Sequence, residues 1–141
     1  MKLKCMEHIG INTGNFKESL KFYRDILGLK QQATIKWPQF SITYLGLPDG
    51  GRVELFDYGM RPERAESDDS RVGYRHIAFK TDNIEAWEQH LKKNGIKIIM
   101  PTTDMVDLGI KGLLFEDPDG TMIEICKALW VIKISIFRNL Y

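Results

Sequence analysis

Two histidines and two glutamates in this 141-residue chain occupy matching places in an internal repeat, and together they have the donor chemistry of a divalent-metal site. His8 opens the segment His8-Ile9-Gly10-Ile11, and His76 opens His76-Ile77-Ala78-Phe79 68 residues later. Each is followed by a threonine, Thr13 or Thr81, and then an asparagine, Asn15 or Asn83. Glu54 ends the run Pro48-Asp49-Gly50-Gly51-Arg52-Val53-Glu54, and Glu124 ends Pro118-Asp119-Gly120-Thr121-Met122-Ile123-Glu124, 70 residues on. Two imidazole nitrogens and two carboxylate oxygens are borderline-to-hard ligands that suit Ni, Zn, Co, Fe or Mn, and none of the four is a thiolate. In six-coordinate geometry they leave two positions for water or a chelating substrate. A lone strand histidine is usually a hydrogen-bonded structural residue, and a lone strand glutamate usually faces solvent. Recurrence of both at equivalent repeat positions is what sets these four apart. The third histidine, His90, stands among Glu88, Gln89, Lys92 and Lys93 and reads as surface.

The elements that must position these groups follow from periodicity. Residues Met6 to Asn12 and Tyr74 to Lys80 alternate apolar and polar, as half-buried strands do. A helix follows each. Asn15 with Glu18 makes a start signal, Phe16, Leu20, Tyr23 and Leu27 form a stripe, and Gly28 ends it. In the second copy the stripe is Ile84, Trp87 and Leu91, stopped by Gly95. Three strands complete each copy: Gln32 to Trp37, Phe40 to Leu47 and Arg52 to Tyr58 in the first, and Lys97 to Met100, Lys111 to Glu116 and Thr121 to Lys127 in the second. The Pro-Asp-Gly tripeptides supply tight turns and do no chemistry. The expected fold is therefore α+β: two tandem βαβββ modules, residues 1–59 and 73–127, forming a curved mixed sheet around a metal cleft, joined by a charged connector, 60–72. Glu54 between Val53 and Leu55, and Glu124 between Ile123 and Ile125, should project from the face opposite the helix, with the two histidines beside them. Burying four ionisable groups in such a cleft is costly unless a cation compensates.

Composition narrows the partners. With 43% hydrophobic and 28% charged residues the chain has the make-up of a compact domain, and 20 basic against 19 acidic residues give no electrostatic reason to seek nucleic acid or an anionic membrane. A small-molecule ligand is expected. Glu7 and His8 interrupt the apolar run that a secretion signal needs, so a cytoplasmic location is expected. Cys5 and Cys126 then read as free thiols rather than a bridge. The apolar tail, 128–141, falls short of the about 20 residues that span a membrane. Its Ile132, Ile134 and Ile136 alternate with Val131, Lys133 and Ser135, which leaves open an added strand against a partner subunit or an unrelated terminus.

The segments EHIGI, SLKFYRDILGLK, RVELF, YRHIAF and LFEDPDGTMIEI, spanning Glu7 to Ile125, resemble the vicinal oxygen chelate superfamily, and within it proteins similar to glyoxalase I (lactoylglutathione lyase). The order His, Glu, His, Glu is that of glyoxalase I-like enzymes, whereas methylmalonyl-CoA epimerases usually place Gln where Glu54 stands. The resemblance implies a metal-dependent lyase or isomerase working by enediolate chemistry on a hemithioacetal or other α-hydroxycarbonyl substrate, with glutathione as a candidate cosubstrate. It makes Glu124 the leading proton-transfer base and Glu54 its pseudo-symmetric counterpart. The alternatives are an acyl-CoA epimerase-like enzyme and a non-enzymatic drug- or metabolite-binding protein. The resemblance also implies a homodimer, in which the metal site forms within one chain or across two. Asn12 and Tyr58 stand where bacterial glyoxalase I typically carries an Arg and an Asn, so charge for glutathione has to come from elsewhere. Arg24, Arg52 and Arg75 are the candidates, and Trp37 and Phe40 are candidates to line the cleft.

Overall fold

The computed structural model describes residues 2–61 and 72–129. Most of the expected connector and almost all of the apolar tail lie outside the described residues. Packing divides these residues into two compact units, one holding 2–61 with Pro118–Gly120, the other 72–117 with 121–129. In each, a strand and a helix are followed by three strands. The first has β1 (His8–Asn12), α1 (Phe16–Lys21), β2 (Lys30–Lys36), β3 (Ser41–Gly46) and β4 (Arg52–Asp57). The second has β5 (Ile77–Lys80), α2 (Ile84–Lys93), β6 (Ile98–Met105), β7 (Ile110–Glu116) and β8 (Met122–Ala128). The result is two four-stranded mixed sheets of identical order, β1-β4-β3-β2 and β5-β8-β7-β6.

The first strand of each sheet lies parallel to the last, β1 on β4 and β5 on β8, while the other neighbours are antiparallel. A parallel pair needs a long crossover, which the helix and two further strands supply. This pairing sets the histidine-bearing strand directly against the glutamate-bearing one. Val53 and Leu55 on β4, and Ile123 on β8, are fully buried, and Ile125 nearly so. Each such side chain contributes roughly 1.5–3 kcal/mol by leaving water. That anchoring fixes register, because a slip of one residue would turn each glutamate to the opposite face.

Both helices start as expected. Asn15 is extended (φ −128°) and accepts from the Glu18 N–H, and Asn83 accepts from the Ala86 N–H at 3.1 Å. Gly28 (φ 74°) and Gly95 (φ 69°) end them in the left-handed conformation. The first helix differs from expectation after Lys21. Residues Phe22–Ile26 widen into a π-helical turn, and Leu27 N–H reaches back five residues to the Phe22 carbonyl at 2.9 Å. The extra residue in that turn lets two adjacent aromatics, Phe22 and Tyr23, both enter the core, where their rings meet edge to face at 5.0 Å. Phe16 and Leu20, expected in the stripe, are only half-buried.

Most strand limits shift by a residue or two, β2 for example running Lys30–Lys36. β1 and β5 begin at His8 and Ile77, later than expected, so His76 immediately precedes its strand. β6 runs on through Pro101 to Met105, because register shifts between Ile98 and Met100 and between Met100 and Thr103 take up a residue that cannot donate to the ladder. Among the described residues, no helix is long and apolar enough to cross a membrane.

Candidate metal centre

In the first unit, register sets Gly10 and Tyr44 directly beside Glu54, with His8 opposite Arg52 and Asn12 opposite Phe56 on the same sheet face. The Glu54 side chain is only 9% exposed and that of His8 46%, so a buried carboxylate is met by an imidazole that reaches it from a wetter edge. His8 Nε2 stands 3.7 Å from Glu54 Oε2. The other imidazole nitrogen, Nδ1, is bound by the Glu7 carboxylate through Oε2, and Glu7 Oε1 accepts from the Arg52 guanidinium. The backbone repeats the tie, with Arg52 N–H donating to the Glu7 carbonyl at 3.2 Å. The hydrogen bond with His8 holds the Glu7 carboxyl below the usual range, slight desolvation opposes this, and Arg52 reinforces it. Ligand-capable atoms of Glu7, His8 and Glu54 lie within 4.8 Å of one another.

In the second unit His76 Nε2 lies 2.9 Å from Glu124 Oε2, again an exposed-edge imidazole against a buried carboxylate. Ala78 and Leu114 flank Glu124, and Gly112 pairs with Cys126 one step along. At Gly112 a Cβ would lie 2.1 Å from Met105 Cε and 3.0 Å from Glu124 Oε1, so any side chain there requires the methionine to move aside. The missing side chain gives two methionines, Met100 and Met105, room beside the carboxylate. Burial, and then the Glu124 charge, push the Cys126 thiol up. Arg75 Nη1 sits 3.0 Å from Met122 Sδ.

The structure thus brings His8 to Glu54 and His76 to Glu124. Each pair offers one imidazole nitrogen and one carboxylate oxygen within a span that a single cation can bridge, and the carboxylates are the buried members. A divalent cation fits this donor set and relieves the cost of burying the charges.

The remaining sequence candidates are placed as follows. Trp37 and Phe40 stack at 4.8 Å, and Phe40 also stacks on Tyr58 (5.1 Å) and Phe56 (6.1 Å). Phe56 lies two residues beyond Glu54 on its face, so this aromatic group continues the surface that carries the first pair. Trp37 and Tyr58 remain 43% and 37% exposed. Arg24 is engaged by Asp25 at 2.6 Å and Arg52 by Glu7, so neither offers an uncommitted guanidinium. His90 is exposed, edge-on to Trp87, and both cysteines are free. Sequence reasoning missed Glu7. The signal was there in the repeat, since Glu7 and Arg52 align with Arg75 and Met122, a change of charge beside an unchanged histidine.

The chain belongs to the glyoxalase/bleomycin resistance protein/dioxygenase superfamily, whose family model matches residues 6–125. It is 32% identical over 126 residues to the uncharacterized protein YaeR of Escherichia coli (strain K12), covering 87% of this chain and 95% of that one. It is 28% identical over 123 residues to the lactoylglutathione lyase of Haemophilus influenzae, covering 83% and 87%. The crystal structure of a glyoxalase family protein from Enterococcus faecalis superposes with a TM-score of 0.77 at 30% identity, covering 89% of this chain and 99% of that one.

Proposed function

We propose that His8, Glu54, His76 and Glu124 together hold one divalent cation, and that the protein is a metal-dependent lyase or isomerase of the glyoxalase I type. The observation that carries this reading is the repetition of one buried carboxylate with one imidazole nitrogen at 3.7 Å and 2.9 Å on equivalent strands. When bound, the cation supplies Lewis acidity toward two adjacent substrate oxygens. Glu124 is the base. Its carboxylate takes the proton from one carbon of the α-hydroxycarbonyl unit and returns it to the neighbouring carbon, so the step is an isomerisation with no net gain or loss of protons. The low exposure of Glu124 keeps water from competing for that proton. Glu54 is its pseudo-symmetric counterpart and would help to hold the cation. The protein acts as a cytoplasmic homodimer.

The leading substrate is the hemithioacetal of methylglyoxal and glutathione, converted to S-lactoylglutathione. Support for a different substituent comes from Tyr58, which is built into the aromatic stack where a polar glutathione contact is expected, and from the commitment of Arg24 and Arg52 to carboxylates of this chain. Those features favour a second reading on a substrate with a more apolar arm, such as an acyl thioester, in which the carboxylate removes the α-proton and a proton returns to the opposite face of the same carbon. Metal-stripped protein reloaded in turn with Ni, Zn, Co, Fe and Mn is to be incubated with methylglyoxal and glutathione. S-lactoylglutathione formation that chelation abolishes supports the first reading. Its absence with every metal removes that substrate, and racemisation of a chiral acyl thioester then supports the second.

A further inference from the structure

We propose that Glu7 is a positioning residue for His8, holding its proton on Nδ1 so that Nε2 is the nitrogen left free for the cation, with Arg52 keeping Glu7 in place. The proposal rests on the reading that His8 is a ligand. A neutral imidazole carries one N–H, and the hydrogen bond made by one nitrogen decides which of the two keeps a lone pair. In this molecule the Glu7 carboxylate is bound to Nδ1, while Nε2 is the atom that faces Glu54. Both oxygens of Glu7 are committed, one to His8 and one to Arg52, so the group is placed as an acceptor behind the imidazole rather than as a further ligand. The residue is also tied through its own carbonyl to the Arg52 N–H, one step beyond the β1–β4 ladder. Carboxylates in this position orient a ligating histidine and raise its basicity.

The second repeat has no such device at the matching positions. Arg75 precedes His76, and Met122 stands where Arg52 does, with the guanidinium directed at the thioether. The two histidines are therefore not equivalent, and only His8 has a carboxylate behind it of those two sequence neighbours.

The test uses the full chain in uniformly 15N-labelled form, with Glu7→Gln, Glu7→Ala and Arg52→Met. Metal-free ring 15N shifts above the imidazole pKa report the tautomer directly. The wild type and Glu7→Gln, whose amide oxygen still accepts from Nδ1–H, are expected to show the Nδ1–H form of His8. Glu7→Ala is expected to move to the Nε2–H form, while His76 is unchanged in all variants. Nickel affinity, read by competition with a chromophoric chelator, is expected to fall about 10–100-fold in Glu7→Ala and to stay within about threefold of wild type in Glu7→Gln, as a conserved hydrogen bond requires. Arg52→Met should fall between them. An unchanged tautomer in Glu7→Ala overturns the proposal. So does a loss in Glu7→Gln as large as in Glu7→Ala, which would make Glu7 a direct ligand. Failure of the wild type to bind nickel would strike the metal reading, and the tautomer data would still decide the role of Glu7.

Discussion

The two repeats carry the same histidine and glutamate but surround them differently. In the first, Glu54 shares its sheet face with Ile42, Tyr44 and Phe56, and its histidine is braced by Glu7 and Arg52. In the second, Gly112 and Cys126 occupy the places of Ile42 and Phe56, methionine side chains close in beside Glu124, and an arginine precedes the histidine. The repeats keep the same donor atoms, as the proposed cation, which tolerates few substitutes for them, would require. The walls differ, with an aromatic, braced side around Glu54 and a side lined by methionines and a cysteine around the proposed base, the carboxylates being equally buried.

The largest effect that can break this comparison is on the two carboxylates. Glu124→Gln is expected to lower kcat by about 10²–10⁴-fold, the range for loss of a general base. Glu54→Gln should lower it less while weakening the metal as much. Equal losses in steady-state kinetics would show that the two halves do the same work.

A second contrast lies beside those carboxylates. Gly112→Val has to displace Met105 and crowd Glu124 Oε1, with an expected destabilisation of about 1–3 kcal/mol. At the matching site of the first repeat, Ile42→Val only removes a methyl, for about 0.5–1.5 kcal/mol. Urea denaturation of the two variants measures the difference, and a smaller cost for Gly112→Val than for Ile42→Val would contradict the packing described for the second face.

The helices differ in how they are held. α2 is tied by Glu88, which takes the Lys92 ammonium and the Thr102 N–H, whereas Leu20 occupies the matching position on α1. Lys92 first, and then Thr102, pull the Glu88 carboxyl from 4.5 down to about 2. A carboxyl depressed on folding stabilises the protein fully above its ordinary value, and that contribution is lost as pH falls from about 4.5 through about 2. Glu88→Gln is therefore expected to cost about 1 kcal/mol at pH 7, and the gap from wild type should close on acidification. Melting curves across pH 2–7 check this.

The smallest effect concerns the thiols. Cys126, pushed up by burial and by Glu124, should react with iodoacetamide at pH 8 more slowly than exposed Cys5. Faster labelling of Cys126 would contradict the burial of that face.

Most of this fold was legible in the sequence because period-two strands, asparagine caps and terminating glycines are local signals, and the repeat let each copy check the other. Two features escaped for physical reasons. The π-helical turn depends on the core accepting Phe22 beside Tyr23, a tertiary preference that no helical stripe encodes. The extension of β6 past Pro101 depends on bulges that only a partner strand can register. At the site, His8 with Glu54 and His76 with Glu124 could be read from spacing, since parallel pairing of the first and last strands brings them together. Glu7 could not be read as easily, because the role proposed for it rests on which nitrogen it faces rather than on its spacing.

The most direct measurement is a calorimetric titration of the metal-free protein with nickel, repeated on His8→Ala and His76→Ala. The shared-site account predicts one ion per chain in the wild type and loss of that ion in both variants. Full retention in His76→Ala, with Glu7, His8 and Glu54 binding on their own, or two independent ions per chain, would contradict it.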